Sequence, residues 1–446
     1  MMPGARIQAA IELLGEIHSG SAPADRAIAG YLRARRYIGG GDRRDIIDRV
    51  YGVLRRRAAL DWWIQPGGAA NGVSERSRIV AGLILLDGWT SDQVAGSFDG
   101  GKYCPAPLDG AERQLVRALA GGAIAHPDQP DWVRLECPAW LEADLRDAFG
   151  AGFAREMSAL AAEAALDLRV NSLKASRDLA RSALSHEGIE AQPTQLSPLG
   201  LRVQARPALA TLKAFRDGLI EVQDEGSQLV ALLCDARPGM RVVDFCAGAG
   251  GKTLALAAAM KNKGHIVACD TLRGRVERAA VRLRRAAVHN VERRGLTSER
   301  DPWVKRHIGS FDRVLIDAPC SGVGIWRRNS EAKWRITPDQ LADLVRLQRR
   351  ILESAARLVK PGGRLIYATC SLLPSENANQ ISWFLGQQTE FTVMPISEVW
   401  TDTIGSAPGG GPCPSGDPLL QLTPAANGTD GFFMAVLARR AASPSS

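Results

Sequence analysis

Asp244-Phe-Cys-Ala-Gly-Ala-Gly-Gly-Lys-Thr253 is the stretch on which the reading of this chain turns. The apolar run from Met240 predicts a β-strand ending at Asp244, and Thr253 to Met260 predicts a helix. Between them Cys246-Ala247 leads into Gly248-Ala249-Gly250-Gly251, small residues that let backbone approach a ligand closely before the helix starts. Two phosphate-binding patterns fail here. A Walker loop needs glycine where Cys246 stands; a dinucleotide fingerprint accepts Gly248 and Gly250 but meets Thr253 at its third glycine position.

Outward from this turn the same unit repeats. His265 to Cys269 predicts a second strand closed by Asp270, Phe311 to Ile316 a third closed by Asp317, and Arg364 to Ala368 a fourth closed by Thr369-Cys370. Such alternation, with polar residues at each strand's carboxyl end, predicts an α/β fold: a doubly wound, Rossmann-like parallel sheet with its ligands at that edge. An acid closing the second strand is placed to accept both hydroxyl protons of a ribose. The glycine turn and Asp270 together read as a site for S-adenosyl-L-methionine. The turn Cys246, Ala247, Gly248, Ala249, Gly250, Gly251 and Lys252 would receive the methionine portion, and Asp270 the ribose.

Two cysteines share that edge. Asp317-Ala-Pro-Cys320-Ser-Gly322 follows the third strand and Thr369-Cys370-Ser371 ends the fourth, so two thiols can meet over one cleft. A lone cysteine is ordinarily a small core residue. Two of them at ligand-edge positions, one beside a proline turn and an acid, point to chemistry.

The rest of the chain sets the context. Its 446 residues predict two or three compact units. Net charge is +8, and between Thr271 and Ser310 eleven basic residues face four acidic ones. Arg273, Arg275, Arg278, Arg282, Arg284 and Arg285 make this either a solvated helix face or a phosphate-binding surface. The eight cysteines form no C-x-x-C pair and the six histidines are dispersed, so no metal site is expected. The first twenty residues lack the apolar core of a signal peptide, and no run is long enough to span a bilayer. A soluble, cytoplasmic protein with reduced thiols and no membrane partner is expected.

Residues 1–139 predict an all-helical domain. Ile46, Ile47, Val50, Val53, Leu54 and Leu60 share one face of a helix over Arg44 to Leu60, with Arg43, Arg44, Arg55, Arg56 and Arg57 opposite. Ser74 to Leu86 is a second helix; glycine and proline break the chain at Gly67 to Gly72 and Gly100 to Pro107. Residues 140–234 predict a small α+β module with strands at Leu168 to Asn171, Gly200 to Val203 and Gly218 to Val222. The Rossmann-like domain takes 235–440. Gly405 to Pro418 and the tail 441–446 read as loops or disorder.

Cys246 to Thr253, Asp317 to Gly322 and Tyr367-Ala-Thr-Cys370-Ser371 resemble the Fmu/Sun family of RNA cytosine-5 methyltransferases. So do Val222-Gln-Asp-Glu-Gly-Ser-Gln228, Trp326-Arg-Arg328 and Gly428-Thr-Asp-Gly-Phe-Phe433, and the likeness runs from about Leu168 to Arg440. Asp42 to Trp63 is similar, more loosely, to the NusB-like RNA-binding domain of the bacterial ribosomal members. The resemblance implies methylation of carbon 5 of a cytosine in RNA, ribosomal small-subunit RNA above all. Carbon 5 of cytosine is a poor nucleophile until a thiolate adds to carbon 6. The family pattern gives that attack to Cys370, recognition of the pyrimidine edge and a place beside the cofactor to Asp317, and a part in release to Cys320.

Lys252 reads either as a charge that favours the Cys370 thiolate or as a solvated lysine at a helix start. Arg327 and Arg328 would grip phosphates near the cleft, Arg275 and its neighbours more distant ones. Trp326 and Trp334 are stacking candidates or core residues. Three departures stand out. Gly248-Ala249 replaces the usual Ala-Pro and frees the turn, Ser330 replaces a proline, and the acid expected before the third strand has only Ser298-Glu299 near its place. Two other functions fit the same features: DNA cytosine methylation, with Cys320 attacking, and an RNA-binding assembly factor that has lost catalysis.

Overall fold

The computed structural model describes residues 1–65, 72–204 and 207–441; the break read from Gly67 to Gly72 lies outside them except for Gly72, as does the tail beyond Ala441. The chain forms two compact units. One is Met1–Ala162 together with Trp326–Ile336; the other is Glu163–Ile325 together with Thr337–Ser446.

The first unit is helical. Apolar residues at helical spacing on Pro3–Ser19, Gly40–Arg55 and Glu75–Leu85 bury Ile7, Leu13, Leu14, Ile46, Val50, Ile79, Val80 and Leu83 in one core. The single helix expected over Arg44 to Leu60 is two, because the chain bends at Arg56 before restarting as Arg57–Ile64. Glu136 caps that restart, its carboxylate accepting the N–H groups of Ala58 and Ala59 at 2.9 and 3.1 Å. The buried guanidinium of Arg78 is held bidentately by Asp61 at 2.6 and 3.0 Å. Trp326–Ile336, which follows the third predicted strand in sequence, packs here: Glu331 accepts from Ala24 N at 3.0 Å and Trp334 Nε1 donates to Leu54 O at 3.4 Å.

The second unit holds two sheets. Strands β1 (Leu166–Val170), β2 (Ala191–Pro193), β3 (Gly200–Val203) and β4 (Ile220–Val222) pair antiparallel in the order β2-β3-β1-β4. The motif Val222 to Gln228 fastens this sheet. Glu225 accepts from Leu196 N and Ser197 N, and Gln228 Nε2 donates to Leu168 O.

The larger sheet contains β5 (Arg241–Asp244), β6 (His265–Asp270), β7 (Val291–Gly295), β8 (Phe311–Asp317), β9 (Val359–Thr369), β10 (Phe391–Val393), β11 (Leu420–Leu422) and β12 (Phe432–Arg439). Its order is β10-β12-β9-β8-β5-β6-β7, with β11 paired to β12. β5 to β9 are parallel, and the four strands expected from sequence are all among them. The sheet is not wholly parallel, however: β12 runs antiparallel beside β9, and β10 and β11 antiparallel to β12. The strand order reverses between β5 and β8, which makes their carboxyl ends the natural ligand crevice.

Ile366, fully buried at the centre of β9, tests this core. Ile366→Ala is expected to cost about 2–5 kcal/mol in denaturant unfolding, whereas Val281→Ala, at a 64% exposed position, should change stability by less than about 0.5 kcal/mol. A cost at Ile366 no larger than at Val281 would contradict the placement of β9.

Candidate active site

The glycine turn leaves β5 at the crevice. Ala247 N donates to Cys269 O at 2.8 Å and Gly250 N to Ala247 O at 2.9 Å. Gly248 and Gly250 have φ of +55° and +81°, left-handed values that favour glycine. A Cβ on Gly248 would meet no atom within 4 Å, so that face of the turn is open to a ligand. Ala249, in place of the family's proline, is braced another way. Its carbonyl accepts from Arg282 Nη1 at 2.9 Å, and Arg282 is held by Glu221 at 3.1 Å. Arg285 pairs with the same glutamate, so two of the six clustered arginines are structural.

Cys246 to Ala249, Gly251, Lys252, Asp270 and Asp317 line one cavity of about 630 Å³, while Gly250 is not part of its wall. Asp270 accepts from Gly248 N at 2.9 Å with one oxygen and from Leu272 N at 2.7 Å with the other, and each keeps lone pairs for a ribose hydroxyl. Leu272, Leu296, Leu347 and Ile351 supply apolar wall, and exposed Arg275 stands at the rim. Glu299, left unassigned from sequence, also lines the cavity, and its carboxylate is engaged by Arg350 at 2.9 Å.

Beneath the turn Asp244 is wholly buried. Its Oδ2 accepts from Thr253 Oγ1 at 2.6 Å, while Oδ1 has no partner among the described residues and is an acceptor left for a bound donor. Burial pushes this carboxyl up to about 7; the Asp317 charge adds to the rise, while the Thr253 hydrogen bond and Lys252 oppose it. An open glycine turn, a spare buried acceptor and a carboxylate over apolar wall fit S-adenosylmethionine.

Lys252 is not a solvated lysine. Its side chain is 9% exposed and the ammonium lies 2.6 Å from Asp317 Oδ2. Burial works against its charge, but Asp317, with Cys370 and Asp244 behind it, holds the ammonium above its usual range. Cys246 stays a thiol, pushed up by burial and by Asp317, Asp244 and Asp270.

Cys320 Sγ and Cys370 Sγ lie 3.4 Å apart. The Cys370 hydrogen bond, burial and the charges of Cys370 and Glu376 push the Cys320 thiol well up, against a Gly322 N–H that lowers it. The motif Gly428 to Phe433 explains itself here: Gly431 N donates to Gly324 O at 2.8 Å and Gly324 N to Cys370 O at 2.9 Å. A Cβ on Gly324 would collide with Gly431 backbone, so both glycines are needed for this approach.

Of the two tryptophans read as stacking or core residues, Trp326 is 1% exposed and is a core residue, while half-buried Trp334 donates to Leu54 O in the helical unit. Arg327 is buried and Arg328 half-buried, and both take part in interactions within the protein. Arg275 remains exposed beside the cavity. Sequence reading also missed Arg282 as a brace and the buried pair Gln348 and Glu376; no spacing pattern marks any of the three.

Parallel strands with this order, a glycine turn and an acid closing the next strand define an S-adenosylmethionine-dependent methyltransferase. Residues 231–438 match the family described as 16S rRNA methyltransferase RsmB/F, and residues 137–209 its RsmF/B-like ferredoxin-like domain. A probable ribosomal RNA small subunit methyltransferase B of Synechocystis sp. is 33% identical over 430 residues, covering 89% of this chain and 91% of that protein. The ribosomal RNA small subunit methyltransferase B of Pectobacterium atrosepticum is 32% identical, covering 91% and 92%. The crystal structure of PH0851 superposes with a TM-score of 0.79 at 26% identity over 98% of this chain and 99% of that one. A methyltransferase homologue from Pyrococcus horikoshii gives 0.59 at 28% identity, covering 69% and 97%. The chain belongs to the RsmB/F family of methyltransferases.

Asp270→Ala is expected to weaken S-adenosylmethionine binding by about 1–3 kcal/mol, since ribose hydroxyls lose their acceptor and Gly248 its tether. Calorimetry on a folded variant checks this; unchanged affinity would remove Asp270 from the site.

Proposed function

We propose that this protein transfers a methyl group to carbon 5 of a cytosine in RNA, with Cys370 as nucleophile and small-subunit ribosomal RNA, for which its curated relatives are named, as substrate. The observation that carries the proposal is the 3.4 Å contact between Cys320 and Cys370, one residue beyond Pro319 of the cavity wall. Only a thiolate attacks, and the place of Cys370 in Thr369-Cys370-Ser371 at the end of β9 is what favours it over the DNA-type scheme, in which Cys320 would attack. A ribosomal substrate implies a cytoplasmic protein. None of the described helices is long and apolar enough to cross a membrane.

Addition of Cys370 to carbon 6 turns the ring into an enamine whose carbon 5 is nucleophilic. Asp317, a third exposed and held by Lys252, would hydrogen-bond the pyrimidine edge and steady the charge that develops there. Bound S-adenosylmethionine supplies the electrophilic methyl. Release then breaks two bonds. The C5–H pair forms the C5=C6 double bond, the C6–S pair returns to the Cys370 sulfur, and the proton passes to a base in the cleft with Cys320 alongside. The base must be unstacked to reach the thiols, which costs a few kcal/mol in a duplex and little in a loop, so unpaired RNA is the favoured target.

The two cysteines are expected to fail differently. With RNA and cofactor, Cys370→Ala should give neither methylated product nor covalent adduct, while Cys320→Ala should accumulate a protein–RNA adduct on a denaturing gel. Adduct from Cys370→Ala and none from Cys320→Ala would reverse the roles; full methylation by both variants would defeat the mechanism.

A further inference from the structure

Glu376, six residues after Cys370, has no part in the scheme above, yet its side chain is fully buried and its hydrogen bonds reach both thiol-bearing loops. Oε1 accepts from Ser321 N and from Gln348 Nε2, each at 2.9 Å, and Oε2 accepts from Ser321 Oγ. Gln348 Nε2 also donates to Pro319 O at 3.0 Å, so the residues on either side of Cys320 are both pinned. The other loop is tied to the same point. Tyr367 in β9 donates its hydroxyl to Glu376 O at 2.7 Å, and Ser371 Oγ lies 3.2 Å from Ser321 Oγ. The neighbouring Asn377 finishes the brace, donating to Ser371 O at 2.9 Å and accepting from Thr369 Oγ1 at 2.6 Å.

Burying a carboxylate is costly unless its oxygens are satisfied, and here they collect three donors that no apolar side chain could serve. The loops so joined carry cysteines fifty residues apart in sequence, brought to 3.4 Å. We infer that Glu376 is a positioning residue for methyl transfer: it sets the Cys320 loop against the end of β9 so that Cys320 meets Cys370 during release. The inference rests on the roles proposed above for the two thiols. The carboxylate's charge acts in the same sense, favouring the protonated form of Cys320.

The test uses the full chain with RNA substrate and labelled S-adenosylmethionine. Glu376→Ala leaves Ser321 N, Ser321 Oγ and Gln348 Nε2 short of an acceptor and frees the Cys320 loop. It is expected to lower kcat about a hundredfold, the loss that follows a displacement of about 1 Å, with KM for S-adenosylmethionine within about threefold. It should also accumulate the Cys370 adduct, as Cys320→Ala does. Glu376→Gln keeps one acceptor oxygen for Ser321 N and Gln348 and can donate from its amide to Ser321 Oγ, so it should recover most of the kcat without adduct. If Glu376→Ala does not fold, Gln348→Leu, which cuts the link to Pro319 O, should show the same adduct. Adduct with Cys320→Ala but with neither brace variant overturns the inference alone. No adduct with Cys320→Ala overturns the thiol assignment and the inference with it.

Discussion

The register of the parallel strands is the constraint on which the site depends. Asp244 pairs with Ala268 and with Leu315, and Asp317 pairs with Ala368, so the ends of β5, β6, β8 and β9 arrive together. Because side chains alternate across a strand, a slip of one residue would send Asp270 or Asp317 to the opposite face. The buried runs of Val, Ile and Leu along β5, β6, β8 and β9 hold that register from both faces of the sheet, and the polar residues begin where those runs stop.

On this edge the charges sort the chemistry. Lys252, at the start of the helix after the glycine turn, pairs with Asp317 at the end of β8, a buried ammonium meeting a half-buried carboxylate on the cavity wall. Asp244 lies under the turn without a cation of its own and is pushed toward neutrality. The two thiols are in contact but differently placed: the residue after Cys320 donates to the buried Glu376 carboxylate, whereas Cys370 directly follows the last residue of β9. In the proposed mechanism one of these like nucleophiles attacks and the other assists release.

Much of this was legible in the sequence because local patterns reported it. Strands that end in an acid, a turn of small residues and two cysteines at strand ends each occupy a few consecutive residues. What escaped was nonlocal or disguised. β7 reads Val-Glu-Arg-Arg-Gly because it is the exposed edge of the sheet and needs no apolar face. β12 opens as a continuous apolar run, Phe432 to Ala438, which periodicity alone cannot separate from a buried helix. Arg282 as a brace of the glycine turn, and Trp326 as core, depend on partners far away in the chain. The same holds for Glu376, whose significance lies in three donors from two other segments.

RNA carrying 5-fluorocytidine at the modified position tests the central claim most directly. Fluorine replaces the proton that release must remove, so the enzyme stays bonded to carbon 6 and the attached peptide can be mapped by mass spectrometry. Attachment at Cys370 is the predicted result. Attachment at Cys320, or no covalent complex with an RNA that is methylated when fluorine is absent, would contradict the account.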